Sequence, residues 1–390
     1  MPPETPLVAL LKEKIRESPL RAIPFREYMD LCLYHPEYGY YSQPKPKIGK
    51  DGDFYTSSSI GPVMGQTLAA FIVHMLPIDR GEPWVLVEWG GGRGRLTKHM
   101  LDEIRALAPD RYKLMSCELI EQSGYHRDLQ RETLRDHEGK IRFVDGGKWL
   151  ADADPRYTVI VANELLDAFP VEIVEFEPGG WRQIYVAWDD ALGTFKELPV
   201  PLTDPDLLRY ISRYIESGPH APRPGQRAEI GLSAAGWLRD AAVRIAAGMI
   251  VTIDYGDVAE ELYAPHRMRG TLLCYRKHLA YDNPYIFQGE QDITSHVNFS
   301  ALIQAGEEAG IRHWTFETQK RFLVRAGILD RLQNDASSDP FSAAARSNRA
   351  IRQLLWSDGM SELFKVLVQY KGPHAEPGVL DAADRMNVFG

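Results

Sequence analysis

From Trp84 onward, short apolar runs alternate with stretches whose apolar residues recur at helical spacing, the pattern of parallel strands joined by crossover helices. VLVEWG (85–90), KLMSCEL (113–119), IRFVDG (141–146), TVIVANE (158–164) and MIVTIDYG (249–256) predict five strands buried on both faces. RHWTFETQ (312–319) and FKVLVQYK (364–371) predict two more, an antiparallel pair at one edge. Between the fourth run and the fifth the alternation breaks. There VEIVEF, WRQIYVAW and TFKEL read as antiparallel strands, and DPDLLRYISRYIE as a helix with Pro205 in its first turn and Leu208, Ile211 and Ile215 on one face. This predicts an α+β insertion at about 171–232, covering the open end of the sheet. SAAGWLRDAAVRIAAG then predicts a helix capped by Ser233 and stopped by Gly248. Upstream, helices are expected over 5–17, 24–35 and 62–76, the second with Phe25, Tyr28, Met29, Cys32 and Leu33 on one face. The stretch from Tyr38 to Gly65, rich in Gly, Pro, Ser and Tyr, reads as an ordered loop. The expected division is an N-terminal helical segment with its loop over 1–83, a Rossmann-like α/β domain over 84–371, and a loosely ordered tail over 372–390.

Composition narrows the class. The 390 residues, 44% hydrophobic and 25% charged, suit a globular chain with a large core. A net charge of −9 lacks the clustered Lys and Arg that phosphate binding needs, so no nucleic-acid partner is expected. No apolar run approaches the roughly 20 residues of a membrane helix, and no membrane partner is expected. Cys32, Cys117 and Cys274 are far apart and lack CxxC spacing, which suggests neither a disulfide framework nor a zinc site. The N-terminal MPPETPLVALLKEKIRESP mixes Glu13 and Glu17 with Lys and Arg and has no apolar core, so it resembles neither a secretory signal nor an acid-poor presequence. A cytoplasmic protein is the expectation.

The chemistry concentrates at Glu88-Trp89-Gly90-Gly91-Gly92-Arg93-Gly94, which follows a strand and opens a helix. Glycines there let the backbone turn sharply and meet a ligand, and the helix N-terminus offers free N–H groups to an anion. The dinucleotide fingerprint GxGxxG fails, because Arg95 stands three after Gly92. GxGxG is the form typical of S-adenosylmethionine (SAM) sites; a tight turn without a ligand is the plainer alternative. Glu88, Gly90, Gly92 and Gly94 are therefore candidate cofactor-binding residues. Glu118, read as the end of the second strand, would accept both ribose hydroxyls. Asp145, after the third strand, would either meet the adenine amino group or simply make a turn.

FREYMDLCLYHPEYGYY, GDFYTSSSIGPVMGQ, the glycine loop, CELIEQSGYHRDLQ, ANELLDAFPVEI, MIVTIDYGD and GEQDITSHVNF, in that order, resemble the MidA family of SAM-dependent methyltransferases. Its mitochondrial branch methylates an arginine during respiratory complex I assembly. The resemblance implies a class I methyltransferase sheet, SAM as cofactor and a protein substrate. One departure is Gly91, where similar proteins carry Pro, which leaves the loop less rigid. Asn163, at the end of the fourth strand, would lie beside the cofactor. Glu164 and Asp167 are the catalytic candidates: an arginine acceptor has a delocalised lone pair and a pKa above about 12, and carboxylates can grip it bidentately and localise its charge. If the segment turned helically, the two would share a face. The bland alternative is helix capping by Asn163 and Glu164, with Asp167 on a solvated face. Thr56, in Gly52-Asp53-Phe54-Tyr55-Thr56-Ser57, suits a lid over the cofactor, and Asp254 and Tyr255 are weaker candidates for the acceptor pocket. Two other functions stay open: a small-molecule O- or N-methyltransferase, and a SAM-fold assembly factor without turnover.

Overall fold

A computed structural model describes residues 5–45, 47, 53, 60–76, 81–334, 339, 341–356 and 360–372. The chain forms two compact units, each gathered from three separated segments. One comprises Tyr55–Glu164, Arg239–Asp254 and Gly306–Gly390, and carries the main sheet. The other comprises Met1–Phe54, Leu165–Leu238 and Tyr255–Ala305.

The strands of the main sheet are β1 (Trp84–Trp89), β2 (Met115–Ile120), β3 (Ile141–Phe143), β4 (Asp154–Asn163), β5 (Ile245–Asp257), β6 (Arg312–Thr318) and β7 (Phe364–Lys371). They lie in the order β6-β7-β5-β4-β1-β2-β3. The neighbours from β5 through to β3 are parallel, while β6 and β7 run antiparallel to each other. This is the expected Rossmann-like sheet with its antiparallel edge pair. Val85–Val87, Val159–Ala162 and Met249–Val251 are all buried, which is why the central strands read as unbroken apolar runs: both faces are covered. Register aligns the strand ends. Trp89 lies opposite Ile120 and Ala162, and Asn163 opposite Ile253, so the C-terminal ends of β1, β2 and β4 share one edge, where open α/β sheets bind ligands, and β5 runs on past it to Asp257.

Among the boundaries that differ from expectation is a helix stop. The helix before β5 spans Leu232–Arg244, and Gly248 lies inside β5 rather than at a helix stop. A Cβ on Gly248 would collide with the carbonyl oxygen of Thr158, its partner on β4, so this glycine serves close strand pairing.

The other unit contains the expected antiparallel strands of the insertion. Ala22–Pro24, Gly180–Asp189, Glu172–Glu177 and Arg227–Ile230 are neighbours in that order, with Thr194–Pro201 also paired to Gly180–Asp189. Ile23 pairs with Val186. Helices Pro6–Glu17 and Phe25–Tyr34 bury Leu7, Leu11, Phe25 and Tyr28 in one core with Ile173, Ile184 and Val186. The helices Pro6–Glu17 and Phe25–Tyr34 thus pack with the strands of the insertion. A three-stranded sheet (Leu273–Arg276, Leu279–Tyr281, Asp292–Thr294) completes the unit. Among the described residues, no helix is long and apolar enough to cross a membrane.

Candidate active site

The glycine loop caps the C-terminal end of β1. Gly90, Gly92 and Gly94 have φ of 73°, 50° and 75°, left-handed values that a β-carbon opposes. The loop closes on itself and on β2: Gly90 N donates to Ile120 O at 2.9 Å, and Gly94 N to Gly91 O at 2.8 Å. Helix Arg95–Leu107 starts from Gly94; the Thr97 amide in its first turn bonds the Glu88 carboxylate, and the N–H groups before Thr97 suit an anion such as the SAM carboxylate. At Gly91 a Cβ would lie 2.7 Å from Glu88 Oε2, so the glycine found here leaves room for that carboxylate. Glu88 is buried, accepts the Thr97 hydroxyl, and is pushed up to about 7 by burial.

Beside the loop stands a carboxylate that sequence reasoning passed over. β2 ends at Ile120, and Glu121 is the first residue beyond it, with 10% of its side chain exposed. Burial pushes Glu121 up to about 7, against hydrogen bonds from the amides of Ser123, Gly92 and Gln122. The Ser123 contact is 2.9 Å. Glu118 sits inside the strand instead, and three positions on, the pleat reverses its direction relative to Glu121. Its carboxylate accepts Trp149 Nε1 at 2.9 Å and the Arg156 guanidinium at 3.2 Å. Arg156 also grips Asp154 through Nε, and Arg244 stacks on Trp149 with its guanidinium 3.6 Å from the ring centroid. Glu118 therefore belongs to a network beneath the strand end. The available signal for Glu121 was its place after the apolar pair Leu119-Ile120.

Asp145 caps helix Gly146–Ala151, its Oδ1 accepting Lys148 N at 2.9 Å. At the end of β4, Asn163 Nδ2 donates to Glu164 Oε1 at 3.2 Å, and Glu164 N donates to Ile253 O at 2.8 Å. Asn163 Oδ1 is buried and has no hydrogen-bond partner among the described residues. Glu164 has φ of 51°, a left-handed conformation that is rare for a residue with a long side chain and recurs at functional sites. The helical turn that would give Glu164 and Asp167 a common face is absent, because residues 164–170 run through bends and turns. Asp167 is buried in the other unit, where its backbone oxygen accepts Ser295 N at 2.9 Å; burial, then the charge of Asp167, pushes Tyr275 up. Asp254 is buried inside β5, one residue past the partner of Asn163, and Tyr255 stacks on His296 with centroids 6.3 Å apart. Thr56 lies outside the described residues.

Comparison with known proteins supports the cofactor these residues fit. The model of the MidA-like family of S-adenosyl-L-methionine-dependent methyltransferases matches residues 67–316. A crystal structure from Burkholderia thailandensis with S-adenosyl-homocysteine bound is similar at TM-score 0.82 and 32% identity, covering 95% of this chain and 94% of that one. The Drosophila melanogaster protein arginine methyltransferase NDUFAF7 homolog, mitochondrial, is 25% identical, over 94% of this chain and 85% of its own. The Rattus norvegicus protein arginine methyltransferase NDUFAF7, mitochondrial, is 27% identical over 86% and 78%. These relatives are named as mitochondrial, which overturns the expectation of a cytoplasmic protein drawn from composition and the N-terminal segment. A sheet in this order, a glycine loop at the end of β1 and a family match over most of the chain agree: the chain belongs to the MidA-like family of SAM-dependent methyltransferases.

Proposed function

We propose that the protein methylates an arginine side chain of a protein substrate. SAM, when bound, supplies a methyl group on a positively charged sulfur. The chain's own residues hold it and present the acceptor. In this reading the Gly90–Gly94 loop and the first amides of helix Arg95–Leu107 take the methionine carboxylate, and Glu121, rather than Glu118, accepts the ribose hydroxyls. Asp145 meets the adenine amino group through the oxygen not used in its cap, and Asn163 offers its unpartnered Oδ1.

The observation that carries the acceptor assignment is Glu164, held in a left-handed conformation at the end of β4 with its carboxylate oriented by Asn163. Such a conformation costs about 1–3 kcal/mol and persists where its surroundings impose it. A carboxylate fixed there can grip a guanidinium and concentrate its charge away from the attacking nitrogen. The names of the fly and rat relatives support the same acceptor. The test is incubation of the purified protein with methyl-labelled SAM and a protein extract, followed by acid hydrolysis and separation of the amino acids. Label in methylarginine is the expected result; label confined to lysine, to base-labile esters or to small molecules would overturn the reading.

A further inference from the structure

We propose that Gln130 is a positioning residue for the cofactor: it fixes the Gly92–Arg93 peptide and thereby sets the affinity of the glycine loop. The proposal rests on the reading that this loop receives SAM. Gln130 lies on helix Gly124–Thr133 and is fully buried. Its Nε2 donates to Gly92 O at 2.9 Å, across 38 residues of sequence. Its Cγ lies 3.1 Å from where a Cβ on Gly94 would stand, so one side chain braces two of the three left-handed glycines. The Gly92 amide bonds the Glu121 carboxylate on its other side. Gly92 is thus held from both sides: its N–H, in the Gly91–Gly92 peptide, by Glu121, and its C=O, in the Gly92–Arg93 peptide, by Gln130. Gly92 has no side chain of its own to resist a flip of the Gly92–Arg93 peptide, and a flip would bring the Arg93 N–H to face Gln130 in place of the Gly92 carbonyl.

Stability alone does not account for glutamine at this place. Its Oε1 is buried with no partner among the described residues, an unsatisfied acceptor that an apolar side chain of similar volume would not bury. The amide's donor is in use and its acceptor is idle. Ser123 fixes the helix that presents it, its side chain accepting His126 N at 3.4 Å.

The test uses the full chain and S-adenosylhomocysteine as the probe, with titration calorimetry and thermal melts on each variant. Gln130→Met keeps the volume and removes the donor; the expected result is a Kd raised at least about tenfold with little change in melting temperature. Gln130→Glu, measured near pH 8, keeps the size and polarity and sets a carboxylate against the Gly92 carbonyl, so it is also expected to lose at least about tenfold. Unchanged affinity in either folded variant, or a lower melting temperature without loss of affinity, would overturn the proposal. Gly92→Val separates the two levels. Wild-type affinity in Gly92→Val would mean that the loop is not the cofactor site, whereas binding lost there and kept in Gln130→Met removes the role of Gln130 alone.

Discussion

Glu118 and Glu121 stand three residues apart and face different tasks. Replacing Glu121 by Gln leaves a neutral side chain that accepts the ribose hydroxyls weakly, and SAM affinity is expected to fall about ten- to hundredfold by titration calorimetry. Glu118→Gln strips a charge from the Arg156 and Trp149 network, where Arg156 still holds Asp154. The expected loss is therefore about 1–3 kcal/mol in chemical denaturation, with SAM affinity within a few fold. The reverse outcome for the pair would return the ribose role to Glu118. At the acceptor end, Glu164→Gln keeps the shape and much of the hydrogen bonding but loses the charge. Turnover in a single-turnover assay is expected to fall at least about a hundredfold, about 2.7 kcal/mol, with SAM affinity little changed. Near-normal turnover would remove Glu164 from the acceptor role. Residue chemistry was legible only as far as strand ends could be placed: ending β2 at Leu119 made Glu118 terminal, and the observed end at Ile120 gives that place to Glu121. The left-handed φ of Glu164 has no trace in residue type at all.

Elements were read best where burial is symmetrical. β1, β2, β4 and β5 are apolar on both faces and announce themselves as runs; Glu172–Glu177 is also buried on both faces, Ile173 in one core cluster and its neighbour Val174 in another. The three strands within residues 273–294 are only three or four residues long and mix exposed with buried positions, so they carry no period to detect. Caps were partly legible. Ser123, overlooked as a cap, begins the helix that carries Gln130, and Ser123→Ala is expected to cost about 0.5–2 kcal/mol in urea denaturation. No measurable change would mean that tertiary packing alone fixes the helix start.

At the scale of the whole molecule, Glu88 and Glu121 are expected to couple cofactor binding to pH. Both are pushed by burial from 4.5 to about 7, so the folded chain keeps protons that the unfolded chain has already lost. The stability this confers is complete below about pH 4.5 and is lost as pH rises through about 7. A bound sulfonium favours the ionised carboxylates, so the rise in melting temperature caused by SAM is expected to be larger at about pH 7.5 than at about pH 5.5. Melts with and without SAM at both pH values check this, and an equal rise at both counts against the coupling. The sequence also concealed how its segments combine, because the pairing of Ile23 with Val186 joins the first helices to strands far along the chain. The strand order carries one more consequence. β7 is the last strand in the chain, yet it lies between β5 and β6. During synthesis β6 leaves the ribosome with no sheet to join, and β5 presents an open edge until residues 364–371 follow. Until then the nascent sheet holds five of its seven strands and an unpaired edge, the state most open to association with another chain.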